Sequence, residues 1–290
     1  MDLDLRWLRR QFIAALASDE DLFGLLILKG GNALDLLHGL GGRASLDLDY
    51  SLEGDLDRPD EIREKLLQAL RGRLAVHGLT LFDGAFSTKP RTGGEGKWGG
   101  YVAEFKVIPT PRLDFLLGDF EKARRESLTI SGDPQGRRVF RIEISKHEYC
   151  GDFEEIEVAD GVKCRVYSLG MIAAEKLRSL CQQMEEYPRR TTRTRRSRDF
   201  YDLYGLLTEG QVDLSTWDFQ DSIRATFQAK EVPLRLLSLL PETIAFHEED
   251  WDAARDEIPA HRSQDFQFYT SFVLDEVTKL QPLWEEEPPV

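Results

Sequence analysis

Two short stretches alternate strictly between apolar and polar residues: SLDLDYSL at 45–52 and FRIEIS at 140–145. Successive side chains of a strand point to opposite faces, and a helical period would scatter these residues around an axis. Leu46, Leu48, Tyr50 and Leu52 therefore share one face, and Asp47, Asp49 and Ser51 the other. Phe140, Ile142 and Ile144 oppose Arg141, Glu143 and Ser145 in the same way. A chain with both stretches builds a sheet with one face on a core and one face carrying acids.

The remaining pattern sets that sheet in an α+β first half. LTLFDGAF and YVAEFKVI read as further strands, joined by a Gly-rich turn around 93–100, and DEIREKLLQALRGRLAVHG reads as a helix entered at Pro59. A helix near Asn32–Leu40 stops at the glycines of GLGG. The stretch 109–131 has no clear pattern, and the tail WEEEPPV reads as disordered. From about Gly161 the texture becomes helical, with Ser168 as an N-cap. The expected domains are 1–160, α+β, and 161–290, mainly helical.

Asp47 and Asp49 lie roughly 7 Å apart by the strand repeat, so one divalent cation or a pair can reach both. Mg²⁺ suits such a site, because it takes one or two carboxylates and completes its shell with water and substrate phosphates. A merely solvated strand face is the plain alternative. Glu143 supplies a third carboxylate if its strand lies beside the first, or else pairs with an arginine; Asp114 is a rival with poorer alternation. Gly30 and Gly31 precede a helix, where a backbone without Cβ atoms can approach a phosphate. A simple tight turn explains them equally.

Two features lie in the helical half. In YSLGMIAAEKLRSLCQQMEEY, Lys176 falls inside the apolar arc of the helical wheel, whereas Glu175 and Arg178 fall on the far side, as surface residues. A lone buried charge is costly, so Lys176 either snorkels outward or reaches a site at the seam of the halves, and Lys176→Met should preserve or raise stability. PRRTTRTRRSRD then places Arg189, Arg190, Arg193, Arg195, Arg196 and Arg198 together, in a chain whose net charge is 38 − 52 = −14. This local reversal of sign suits a nucleic-acid backbone, or a loop paired to the acidic body. In SRDFYDLYGLL, Asp199 borders the apolar stripe in the first helical turn, and Asp202 points away.

LKGGNALDLL, RASLDLDYSL, FRIEIS, AAEKLRSL and RSRDFYDLY together resemble, in order and rough spacing, the AbiEii/AbiGii nucleotidyltransferase toxin family over about residues 25–207. The resemblance implies a DNA polymerase β-like nucleotidyltransferase core with a helical C-terminal domain. It implies a toxin of a toxin–antitoxin or phage-defence system, moving a nucleotide from an NTP to an RNA acceptor, transfer RNA in some relatives. It assigns Asp47, Asp49 and Glu143 to two Mg²⁺ ions, and Gly30 and Gly31 to the triphosphate; Lys29 and Ser45 stand beside these as further candidates for the nucleotide. Lys176 would neutralise triphosphate charge and Asp199 orient it, with the six arginines meeting RNA. A cognate antitoxin is implied as partner. The alternatives are nucleotidylation of a protein hydroxyl, or an inactive fold that binds RNA or protein.

Alternation places Ser45 on the face of Asp47, where a phosphate would repel the incoming triphosphate. Three scattered cysteines fit a reducing cytoplasm rather than a disulfide framework, and no run of 18 apolar residues suggests a membrane span.

Overall fold

The computed structural model describes residues 4–40, 47–90, 98–130, 136–187, 189, 192–256 and 258–285. Ser45, Arg190 and most of the Gly-rich turn lie outside them. The chain divides into two compact units, Met1–Leu37 with Ala44–Val166, and His38–Arg43 with Tyr167–Val290.

The first unit is built on seven strands: β1 (Ile27–Lys29), β2 (Leu48–Ser51), β3 (Leu79–Lys89), β4 (Gly100–Pro109), β5 (Phe140–Ser145), β6 (Phe153–Ala159) and β7 (Val162–Tyr167). They form one mixed sheet in the order β3-β4-β5-β2-β1-β7-β6. β2 runs antiparallel to β1 and parallel to β5, and β4 runs antiparallel to β5. The β6–β7 hairpin was not expected. Its turn is Asp160-Gly161, with both φ values positive (52° and 78°), the geometry that matches strand twist in a two-residue hairpin.

The core lies on one face of this sheet. Leu48, Tyr50, Phe105, Phe140, Ile142 and Ile144 are buried there. Helix α1 (Leu5–Ala17) is capped by Asp4, whose carboxylate accepts from the Arg6 N–H at 2.9 Å. It buries Leu8, Phe12, Ile13 and Leu16, and the Phe12 ring meets Phe105 and Phe140 edge-on at 5.1 and 5.2 Å. After the short α2 (Glu20–Leu25), the turn α3 (Gly30–Asn32) runs into a π-helical turn, Ala33–Leu37, where a longer regular helix was expected. Such turns are rare and frequently mark functional sites. Helix α4 (Pro59–Val76) buries Leu66, Leu67, Leu70 and Leu74 along one stripe. The unread stretch 109–131 folds as α5 (Thr110–Phe115) and α6 (Phe120–Glu126), and Leu116 and Ala123 pack on Phe82 and Ile108.

The second unit is helical: α7 (Leu169–Cys181), α8 (Ser197–Thr208), α9 (Trp217–Ala229), a 3₁₀ segment Leu234–Thr243, then α10 (Ile244–Glu248), α11 (Trp251–Arg255), α12 (Phe266–Val277) and α13 (Gln281–Glu285). The Ser168 hydroxyl caps α7 by accepting from the Met171 N–H at 3.1 Å. Helix α13 carries Trp284 and Glu285, which the sequence assigned to a disordered tail. Among the described residues no helix is long and apolar enough to cross a membrane.

Candidate active site

Three strands set one row of charged residues on the polar face of the sheet. Lys29 of β1 pairs with Asp49 of β2, and Asp49 with Glu143 of β5. Directly paired residues project to the same face, so the three share the face opposite the core. Asp47 stands at the entrance of β2, half-buried. Burial raises its carboxyl above the ordinary value, Arg141 and Arg137 pull it down, and Glu143 pushes it up. The carboxyl of Asp47 therefore lies within the fields of Glu143 and Arg141. Asp49 and Glu143 thus share one face, and Asp47, one residue before β2, lies close enough to feel Glu143 and Arg141.

Glu143 is not a bare carboxylate. One oxygen accepts from the Lys89 ammonium at 2.6 Å, and the other lies 3.6 Å from the Arg141 guanidinium. Arg141 also binds Glu104 at 2.7 Å. Lys29 is buried, with its ammonium 3.7 Å from the buried Glu148.

Two neighbours fix the aspartates. The Asn32 side-chain amide donates to the Asp47 carbonyl at 2.6 Å, tying the entrance of β2 to the turn after Gly31. Gly30 has φ +70°, and a Cβ built on it would lie 3.1 Å from Asp49 Oδ2. Both the backbone and the space beside Asp49 disfavour a side chain there: the φ is strained for an L-residue, and Asp49 would have to give way by a few tenths of an ångström. Sequence reading overlooked Asn32 and Glu148; an asparagine after two glycines carries no pattern that marks it.

These residues fit a divalent cation. The donors are hard carboxylate oxygens, and burial raises the Asp47 carboxyl, a penalty on its charged form that a cation would offset. Among the described residues, no three His, Cys, Asp or Glu side chains are grouped to hold an ion by themselves.

The second unit holds the other cluster. The Lys176 ammonium, nearly fully buried, donates to Asp199 Oδ1 at 2.8 Å and Asp202 Oδ2 at 2.6 Å. Burial alone would lower its pKa, but the two carboxylates outweigh this and hold it above the ordinary lysine value. Burial likewise opposes ionisation of Asp199, and Lys176 and Arg196 outweigh it, so the carboxyl sits well below its usual range. Arg196 donates to Asp199 Oδ2 at 2.8 Å. Asp202 does not point away, as the wheel suggested. Nor is Arg178 a surface residue: it is buried, 3.6 Å from Glu175. Helices α7 and α8 are enclosed on more than one side, and a one-face wheel misplaces residues on enclosed helices.

The described arginines of the Arg-rich run face carboxylates. Arg189 meets Glu231 at 2.5 Å and Arg193 meets Glu185 at 2.8 Å; Arg195 pairs with Glu249, and Arg198 lies 3.8 Å from Asp202. The Arg193 and Arg195 guanidinium groups also sit over the Phe246 ring, at 4.1 and 5.4 Å from its centroid.

Asp49 on β2 with Asp47 at its entrance, a glycine turn against Asp49 and an acidic neighbour strand form the kind of face that a nucleotidyltransferase needs. The chain belongs to the family of nucleotidyl transferase AbiEii toxins of type IV toxin–antitoxin systems, whose model matches residues 11–271. An antitoxin partner and a nucleotide substrate come with that membership. Among solved structures it is similar to MenT4, a nucleotidyltransferase toxin from Mycobacterium tuberculosis H37Rv, at 17% identity and TM-score 0.47, covering 96% of this chain and 82% of that one. It is also similar to an antigenic nucleotidyltransferase-like protein from Paracoccidioides brasiliensis, at 14% identity and TM-score 0.40, covering 82% of this chain and 94% of that one. No curated protein matches it significantly.

Proposed function

We propose that this toxin transfers a nucleotide from an NTP to an RNA acceptor, with Mg²⁺ held by Asp47 and Asp49. The observation that carries this reading is the register Lys29–Asp49–Glu143, which puts Asp49 and a second acidic strand on one polar face beside Gly30. When bound, divalent metal supplies charge neutralisation for the attacking and leaving oxygens of an in-line displacement.

The chain's own groups do the rest. Gly30 leaves room at Asp49 Oδ2, so that nothing from the turn displaces a ligand of that oxygen. Asn32 holds the Asp47 backbone in place. Glu143, tethered by Lys89 and Arg141, fixes the electrostatics of the row and stands as a base toward an acceptor hydroxyl once Lys89 is released. Lys29, Gly30, Gly31 and Ser45 are assigned to the nucleotide. In the second unit, Lys176 is the cation assigned to phosphate charge, with Asp199 keeping it protonated and oriented. The arginines reach an RNA backbone by exchanging their carboxylate partners for phosphates.

The test mixes the full chain with each of the four labelled NTPs, Mg²⁺ and total transfer RNA. Label should appear in RNA and disappear when the metal is chelated. Label in protein alone, or none in either, overturns the RNA reading.

A further inference from the structure

Arg141 is a cation placed to fill the acidic row, but it is held to one side of it. It lies two residues before Glu143 on β5, so both side chains project from the polar face of the sheet. β2 pairs with β5 in parallel, Leu48 with Ile142 and Asp49 with Glu143. One step back along that register sets Arg141 beside Asp47. The Arg141 Nη1 stands 3.6 Å from Glu143 Oε1, just beyond hydrogen-bond distance.

Glu104 is what holds it. β4 pairs with β5 at Glu104–Arg141. One carboxylate oxygen, Glu104 Oε1, accepts from Arg141 Nε at 3.2 Å and from Nη2 at 2.7 Å. In the sheet, β5 lies between β4 and β2. The pair therefore draws the guanidinium toward β4, away from the strand that carries the aspartates.

The electrostatics show what Arg141 would do if released. Its hydrogen bond to Glu104 raises the guanidinium above its ordinary value, and Asp47 and then Glu143 add smaller pulls. Burial raises the Asp47 carboxyl, and of the charges around it Arg141 acts most strongly. An arginine cannot lose its proton to leave a site, and its fork closes in bidentate fashion on a carboxylate. On Asp47 it would occupy the oxygens assigned above to the metal. A cross-strand ion pair serves sheet stability in many proteins; here the acidic member also decides where a competing cation rests.

We propose that Glu104 is a positioning residue, which keeps Arg141 on the β4 side of β5 and so leaves the face of Asp47, Asp49 and Glu143 open to a divalent cation. The proposal rests on the metal reading of that face. It is independent of which nucleotide or acceptor is used. The two side chains are 39% and 32% exposed, so glutamine at either position leaves no charge stranded in the core.

Mn²⁺ binding to the full chain without nucleotide tests it, in wild type, Glu104→Gln, Arg141→Gln and the double variant. The salt is set at about 0.5 M KCl, which screens fields between exposed charges. Glu104→Gln should weaken binding at least about tenfold, the lower end for loss of a group that orients a metal site. Arg141→Gln alone should bind as tightly as wild type or more tightly. In the Arg141→Gln background, Glu104→Gln should cost less than about threefold, because no guanidinium is left to move. A purely structural ion pair would lower the unfolding midpoint of Glu104→Gln and leave Mn²⁺ binding as in wild type, which overturns the proposal. An equal loss in both backgrounds also overturns it, since Glu104 would then act by its charge and not through Arg141. Asp49→Ala separates this inference from the reading beneath it. If Asp49→Ala binds Mn²⁺ like wild type, or wild type binds none, the metal reading fails and this inference with it. If Asp49→Ala loses binding while Glu104→Gln keeps it, this inference alone fails.

Discussion

The Asp202 carboxylate accepts a hydrogen bond from the Lys176 ammonium at 2.6 Å, opposite Asp199 at 2.8 Å. Lys176 is thus the centre of a buried charge cluster and not a lone charge on an apolar stripe. This reverses the stability expected of Lys176→Met. Breaking a buried pair from one side leaves its partners without compensation, at about 3–5 kcal/mol. The expected result is a lower urea midpoint, with the loss near the bottom of that range because Arg196 and Arg198 remain beside the aspartates. Removing all three charges, with Lys176→Met, Asp199→Asn and Asp202→Asn together, should recover most of it. Transfer should fall on the order of 10²-fold in the single variant.

Stability should fall between about pH 6.5 and pH 4, because of His247. This histidine is fully buried, and burial lowers its pKa to about 4. The Arg196 N–H donates to its Nδ1 at 3.0 Å, which requires that nitrogen unprotonated. The unfolded chain binds a proton near pH 6.5 and the folded chain does not, so stability rises with pH across this window, by on the order of 3 kcal/mol. His247→Gln should flatten that slope in pH-dependent denaturation. Asp199 has the opposite starting charge but the same sign: its depressed pKa gives stability that is present above the usual carboxylate range and lost only in stronger acid.

Much of the candidate site was legible from alternation. Asp49 and Glu143 lie on one sheet face because period two allows nothing else once Leu48, Tyr50, Ile142 and Ile144 go to the core. Lys176 was marked by falling inside an apolar arc. Asp202 was not, because α8 buries residues on several sides and a wheel assumes one. The arginine run read as free charge because its partners, Glu231 and Glu249, lie more than forty residues ahead (231 − 189 and 249 − 195). The β6–β7 hairpin was missed although Asp160-Gly161 is a strong turn signal, since the helical texture beyond it dominated the reading.

Gly30→Ala and Gly31→Ala should behave differently. At Gly30 the positive φ costs an L-residue roughly 1–2 kcal/mol, and the new Cβ would press on Asp49 Oδ2 at 3.1 Å. Stability and transfer should both drop. Gly31 has no positive φ, so its alanine variant should unfold close to wild type. Equal thermal shifts in the two variants would contradict the role given to Gly30.

For the Arg-rich run, replacing Arg189, Arg193 and Arg195 with glutamine should weaken RNA binding and flatten its salt dependence. Because each of these arginines must first leave a carboxylate, the loss of slope should be smaller than one unit per residue. An unchanged slope would remove the run from the RNA interface.

The central claim is that the Asp47–Asp49 face carries nucleotide transfer. Asp47→Asn tests it most directly, because it keeps the side chain's shape and removes the ionisation that burial opposes. Incorporation of labelled nucleotide into total transfer RNA should fall by at least about 10²-fold. The unfolding midpoint measured beside it at neutral pH should equal or exceed wild type, since a carboxyl whose folded pKa is raised gives up stability as it ionises. Transfer near the wild-type rate in a folded Asp47→Asn protein would contradict the account.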